Sequence, residues 1–302
     1  TFNKGRILGV DPNRVFEALD EGKIVVVAGF QGITEYGDMV TLGRGGSDTT
    51  AVALAGAMKA DVCEIFTDVD GVYTSDPRVV KNAKKLDEIT YDEMLELASL
   101  GAKVLHNRSV ELAKKYNVNL VVRSSMTDAE GTIVKEEVKV EKMLVSGVAV
   151  DKDVARIAVV GLKDEPGVAF KIFSLLSKEK ISVDIIIQSI GRSNTKDISF
   201  TVAEGDCDEA LRILNEHKER LGFEDVTANK AVAKVSVVGA GMATNSGVAS
   251  MLFEATFDAG INVKMISTSE IKISILVKDS DADRAAIAIH DKFMSESINA
   301  RQ

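Results

Sequence analysis

Thr41-Leu42-Gly43-Arg44-Gly45-Gly46-Ser47-Asp48-Thr49-Thr50 sets three glycines around one arginine and follows them with a Ser-Asp-Thr-Thr cluster. The run Ala51 to Lys59 behind it is small and aliphatic, the composition of a buried helix, and Ser47 or Asp48 is placed to cap its first turn. Glycines let backbone approach a ligand closely, and the free N–H groups at a helix start favour anions. Arg44 adds a bidentate donor for a carboxylate or phosphate. Taken alone, the stretch fits a plain glycine turn before a capped helix equally well. Its neighbours decide.

Upstream, Asp11 to Asp20 reads as a short helix with Asp11 as cap and Pro12 at the first helical position. Lys23 to Ala28 is nearly all apolar and bounded by glycines, which predicts a strand buried on both faces. It runs into Gly29-Phe30-Gln31-Gly32, a turn at the strand's carboxyl end, where open α/β sheets place ligands. Downstream of the helix, Val62 to Thr67 predicts a second strand and thus a right-handed βαβ unit. Thr67 to Arg78 then puts three aspartates, a tyrosine and an arginine on one loop. Asp70-Gly71 and Asp76-Pro77 are turn formers, so a solvated loop is one reading. The other is a nucleotide loop, with carboxylates near Mg²⁺, Tyr73 against a base and Arg78 on a phosphate.

Thr90-Tyr91-Asp92-Glu93 is a capping box for a helix ending near Leu100. Gly101 to His106 leads into a second helix to about Tyr116, and Val118 to Arg123 predicts another strand. Lys103 beside glycine suits either a phosphate or open solvent. His106 has no ligand partner at metal spacing and reads as structural, and His217 and His290 sit in polar helical stretches. No metal site is expected. Gly131 to Lys142 has the charged, β-branched character of a domain connector.

The 302-residue chain carries a net charge of −9, which argues against nucleic-acid or anionic-membrane partners. It has no apolar run long enough to span a bilayer and no secretory leader pattern. Cys63 and Cys207 are isolated and read as reduced thiols, so a cytoplasmic location is expected. The opening at Thr1 and the strand pattern already under way at Ile24 suggest further sequence upstream.

The second half repeats itself. Arg156-Ile157-Ala158-Val159-Val160-Gly161 matches Lys234-Val235-Ser236-Val237-Val238-Gly239 at an offset of 78 residues. Pro166-Gly167-Val168 matches Ser246-Gly247-Val248, Ile181-Ser182-Val183 matches Ile261-Asn262-Val263, and Ile198-Ser199-Phe200 matches Ile273-Ser274-Ile275. Each copy predicts a ferredoxin-like βαββαβ unit. The Gly-Val helix starts suit the carboxylate of a small amino acid, against a purely structural pair as the alternative.

With these motifs in view, residues 24 to 134 resemble the C-terminal part of the amino-acid kinase fold, and aspartate kinases in particular. The resemblance rests on Gly29-Phe30-Gln31-Gly32, Thr41 to Asp48, Thr67 to Thr74, Asp76-Pro77-Arg78 and Gly101 to His106. Residues 143 to 302 resemble that family's paired ACT domains, including Gly239-Ala240-Gly241-Met242 and Ile266 to Ile271. It implies an α/β chain: residues 1–140 as the C-terminal part of a three-layer αβα kinase domain with a mainly parallel sheet, then ACT domains at 141–226 and 227–302.

The implied reaction is transfer of the ATP phosphoryl group to the side-chain carboxylate of L-aspartate, an entry step to lysine, threonine and methionine synthesis. Phe30, Arg44, Ser47 and Asp48 would line the aspartate site, with Arg44 on a carboxylate and Asp48 on the ammonium. Thr67, Asp68, Tyr73 and Arg78 would hold the ATP, with Lys103 near its phosphates and Mg²⁺ as the nucleotide's companion. Arg44, Ser47, Asp48 and Lys103 would be the catalytic set. Lysine or threonine would bind as effectors at the ACT domains, across a homo-oligomer. Asp164, Gly167, Val168, Ala169, Asp184 and Gln188 would serve in the first copy, and Asn245, Gly247, Val248, Thr268, Ser269 and Glu270 in the second. Asp184 would take a lysine ammonium.

One departure stands out. The family's Lys-Phe-Gly-Gly motif occurs nowhere in these 302 residues, so this chain by itself is expected not to turn over. A non-catalytic amino-acid-binding regulatory chain is the alternative, and another amino-acid kinase a third reading. The Arg44 and Thr67–Arg78 loops count against the first, and the paired ACT units against the second.

Overall fold

The structure is a computed structural model that describes residues 5–100, 104–138, 144–190 and 195–299. Lys103 lies outside the described residues. Two compact units emerge: 1–149 with 238–246 and 293–302, and 150–237 with 247–292.

The first unit begins with α1 (Asn13–Asp20), where Asp11 Oδ1 accepts from Asn13 N at 3.0 Å. The expected strand at 23–28 is not formed. Ile24 is 95% and Val26 93% exposed, because no described strand lies alongside to take up their backbone groups. The expected βαβ unit is therefore incomplete on that side. A two-stranded antiparallel ribbon follows instead, β1 (Gln31–Ile33) with β2 (Met39–Thr41).

After α2 (Gly46–Met58) come β3 (Cys63–Thr67), β4 (Glu88–Thr90), α3 (Tyr91–Ser99), α4 (Asn107–Tyr116), β5 (Leu120–Ser124) and β6 (Thr132–Lys135). Their sheet runs β3-β5-β6-β4. β3/β5 and β4/β6 are parallel, but β5 and β6 form an antiparallel hairpin through Gly131 at φ +83°. The stretch expected to be a connector thus supplies an inner strand. Thr132 Oγ1 donates to Leu86 O and accepts from Val72 N, tying that strand to the loop after β3.

α2 packs closely on α4 where Gly56 faces Tyr116, and a Cβ there would lie only 3.0 Å from that side chain. Thr90 and Glu93 form the expected capping box on α3. Buried Glu93 also accepts from Ser146 Oγ at 2.6 Å and Ala240 N at 2.9 Å, fixing two distant chain segments. The core here gathers Val52, Ile89, Tyr91, Met94, Leu120 and Val122.

Further along are β7 (Gly147–Asp151), β8 (Ala155–Lys163), α5 (Val168–Lys178), β9 (Val183–Ile190), β10 (Thr195–Val202), α6 (Cys207–Glu216), α7 (Lys218–Leu221) and β11 (Asp225–Asn229). Then come β12 (Val232–Val238), α8 (Val248–Asp258), β13 (Met265–Thr268), β14 (Lys272–Lys278) and α9 (Ala282–Asn299). The first repeat forms the expected βαββαβ sheet in the order β11-β8-β10-β9. The second has the order β13-β14-β12-β7, so its fourth strand is taken from upstream of the first repeat. His290 of α9 is fully buried, contrary to the polar setting expected of it.

Candidate active site and effector surfaces

The glycine loop is built by conformation. Gly43 and Gly45 hold φ values of +78° and +71°, where a side chain is strained, and a Cβ at Gly45 would lie 2.3 Å from the His106 ring. Gly45, not Ser47 or Asp48, is the N-cap of α2, and it makes no side-chain cap bond. The helix starts two or three residues earlier than expected because left-handed glycine turns the chain directly into it. Ser47 and Asp48 lie inside the first turn, and Thr49 and Thr50 hydroxyls bond back to Gly45 O and Gly46 O at 2.8 Å.

Phe30 sits opposite, itself left-handed at φ +68°, a conformation unusual for a bulky residue. Its N–H donates to Thr50 Oγ1 at 3.2 Å, and its carbonyl accepts from Leu42 N at 2.9 Å. The Phe30 ring is against Gly46. Phe30, the glycine loop, Asp48 and His106 are thus brought together, with Arg44 and Ser47 exposed on the loop. Burial pushes the Asp48 carboxyl up, and the neighbouring His106 pulls it partly back. The same burial, with Asp48 adding, raises the Cys63 thiol to about 11, so it is an inert thiol. His106 is structural as expected: its Nδ1 caps α4 by accepting from Arg108 N.

Arg108 was not expected to matter. Its guanidinium donates to Leu42 O at 2.7 Å and Gly5 O at 2.9 Å, clamping the strand that leads into the glycine loop. Those partners are 66 and 103 residues away, and no local pattern reveals such a contact.

The loop after β3 is internally satisfied. Thr67 Oγ1 donates to Asp68, Tyr73 OH donates to Asp70 at 2.9 Å, and Arg78 forks onto Asp76 with contacts of 2.7 to 3.1 Å. Burial first, then the Asp70 bond, raises the Tyr73 phenol, and the Arg78 fork holds the Asp76 carboxyl below its usual range. Arg78 itself is 87% exposed. The loop presents hydroxyls, carboxylates and a cation from one strand end, a surface suited to a polyphosphate bearing a base. Among the described residues no three His, Cys, Asp or Glu side chains are arranged to hold a metal ion. Mg²⁺ commonly relies on substrate phosphates for its remaining ligands.

Of the effector candidates, Gly167 at φ +90° caps α5, with Val168 buried and Ala169 behind it. Asp164 pairs with Lys196 at 2.6 Å. Asp184 already carries an internal ammonium, Lys234 Nζ at 2.5 Å. Gln188 is exposed on β9. In the second repeat, Gly247 caps α8 at φ −84° and Val248 is buried. Thr268, Ser269 and Glu270 are exposed, and Ser269 N bonds Lys272 O across a tight turn. Asn245 belongs to the first unit and donates to Gly241 O.

Comparison with known proteins fits this geometry. A model described as the amino acid kinase family matches residues 1–124, and one described as an ACT domain matches 157–217 and 235–293. An aspartokinase of Bacillus sp. (strain MGA3) is 50% identical over 293 residues, covering 97% of this chain and 71% of that one. E. coli aspartokinase III, solved with aspartate and ADP in an R-state, superposes with a TM-score of 0.79 at 30% identity. That match covers 93% of this chain and 63% of the other. The same enzyme with lysine and aspartate in a T-state gives 0.76 at 30%, covering 93% and 62%. The chain therefore spans 71% of its curated relative and less than two thirds of these solved chains. On the strength of the glycine loop, the paired repeats and a relative that matches 97% of this chain at 50% identity, the chain belongs to the aspartate kinase family.

Proposed function

We propose that the chain serves ATP-dependent phosphorylation of L-aspartate to 4-phospho-L-aspartate, at the entry to lysine, threonine and methionine synthesis in the cytoplasm. The observation that carries the reading is the loop at the start of α2. Gly45 locked against His106 and Phe30 locked against Gly46 hold a helix N-terminus beside an exposed arginine and a half-buried aspartate. Arg44 takes the substrate's α-carboxylate, Asp48 its ammonium, and Ser47 and Phe30 complete the wall. Thr67, Asp68, Tyr73 and Arg78 receive the nucleotide, with Lys103 assigned to the phosphates.

A carboxylate nucleophile is already ionised and needs no base, so the work is positioning and charge neutralisation. Magnesium enters as the companion of the ATP phosphates, and no residue here is assigned to it. The ACT repeats bind lysine, threonine or both as feedback effectors, using the helix starts at Gly167 and Gly247, and the chain works as a homo-oligomer through them. A relative solved with aspartate and ADP, and again with lysine, supports both halves of the reading.

Calorimetric titration with aspartate tests it. The full chain should bind aspartate, and Arg44→Ala should weaken that binding at least about tenfold, the loss expected for one charge-assisted bidentate contact. Heat on adding lysine or threonine should survive Arg44→Ala unchanged. Equal aspartate binding by both proteins would remove Arg44 from the site. In a hydroxylamine trap for aspartyl phosphate, the chain lacking a Lys-Phe-Gly-Gly motif should give only background. Sustained product would overturn that part.

A further inference from the structure

The two repeats differ in one buried constellation. In the second repeat, Lys234 is the third residue of β12, is 5% exposed, and is neutralised by Asp184 at 2.5 Å and Asp151 at 3.3 Å. The repeat correspondence sends Lys234 to Arg156, Asp184 to Lys264 and Asp151 to Asn229. The local geometry supports the mapping. Asp151 Oδ1 accepts from Asp153 N, just as Asn229 Oδ1 accepts from Ala231 N. Asn229 stands directly across from Arg156 on β8.

One cation with two acids on one side thus becomes two cations with no acid on the other. Arg156 Nε is buried and has no hydrogen-bond partner among the described residues. Ser199 tells the same story. Its counterpart Ser274 shares a 2.8 Å hydroxyl bond with Ser236, but the residue opposite Ser199 is Ala158.

Arg156, Ser199 and Lys264 all line one cavity of about 310 Å³, whose remaining walls are Ile187, Val263 and Met265, with Ile266. Arg156 is half-buried, and its unpaired Nε donor in such a place is costly unless an acceptor arrives. We propose that this cavity binds a small carboxylate with a branched aliphatic body. The carboxylate would replace the acids that neutralise Lys234, forking onto Arg156 and accepting from Ser199 and Lys264, with the aliphatic part on the isoleucine and valine walls. An amino acid is the wrong ligand here, because its ammonium would enter a cavity already holding two cations and no acid.

Isovalerate and L-valine share a carbon skeleton and differ by that ammonium, so calorimetric titration of the full chain with each is the test. Isovalerate should bind saturably and at least about tenfold more tightly than L-valine. Lys264→Asp rebuilds the internal pair seen at Asp184, and it should abolish isovalerate binding while melting no lower than the parent. Ser199→Ala, which leaves every ion pair in place, should weaken binding severalfold without changing the melting temperature. No saturable isovalerate binding, equal binding of L-valine, or unchanged affinity in both variants would overturn the proposal.

Discussion

Arg156 and Lys234 lie near the start of the same strand in two copies of one fold, and they live in opposite electrostatic worlds. Lys234 is buried between two carboxylates, while Arg156 faces a lysine and a neutral amide. The sheets differ too: the first copy closes with its own β11, the second with β7 from upstream. Even the helix caps diverge, Gly167 being left-handed and Gly247 not. A duplicated fold conserves the layout that buries its core, because each copy must cover its own helix face. It does not conserve what sits between the copies, where one member can complete itself while the other awaits a partner.

The largest expected effect breaks the comparison at its centre. Lys234→Met should cost about 2 kcal/mol, seen as a lower urea midpoint. It leaves Asp151 and Asp184 facing each other without their cation, and their partial exposure keeps the loss below that of a fully buried pair. Arg156→Met should change stability by no more than about 0.5 kcal/mol, since it removes a half-buried charge with no carboxylate partner among the described residues. Equal losses would mean that Arg156 is neutralised as well as Lys234 is.

The caps come next. Gly167→Ala should cost about 1–2 kcal/mol through the left-handed conformation alone, since open space surrounds it. Gly247→Ala, at φ −84° and equally uncrowded, should be neutral or stabilising by up to about 0.5 kcal/mol. Thermal melts of the two variants measure this directly.

How much of this was legible in the sequence depends on where the partners lie. The Thr90–Glu93 capping box and the repeated β8-like and β12-like strands were readable because their signals are local or periodic. Residues 23–28 form no strand despite their apolar composition, because burial needs neighbours that composition cannot supply. β7 escaped notice because nothing in Gly147–Asp151 says which of two sheets it joins. In the site, Arg44, Ser47 and Asp48 stood out by their glycine setting. Arg108 did not, since its clamp on Leu42 and Gly5 is set by the fold. Side-chain acceptors point to Ser47 or Asp48 as the cap on α2, whereas left-handed Gly45 does the turning.

The smallest effect sharpens the comparison most, because it asks whether one atom's chemistry separates the two repeats. Asn229→Asp gives the first repeat the acid that Asp151 gives the second, on the same tight turn. The new carboxylate keeps the acceptor for Ala231 N and stands across the ladder from Arg156. A cross-strand pair at a partly exposed position is worth about 0.5 kcal/mol, so the gain should be modest. Its character is the informative part. The gain should fade between low salt and about 1 M, where the screening length falls to roughly 3 Å. It should also weaken isovalerate binding, since an internal anion then competes for the guanidinium. A loss of stability, or a gain indifferent to salt, would mean that Asn229 does not occupy the place that Asp151 holds. The two constellations would then be neighbours in sequence alignment only, and the neutralisation of Lys234 would say nothing about what Arg156 lacks.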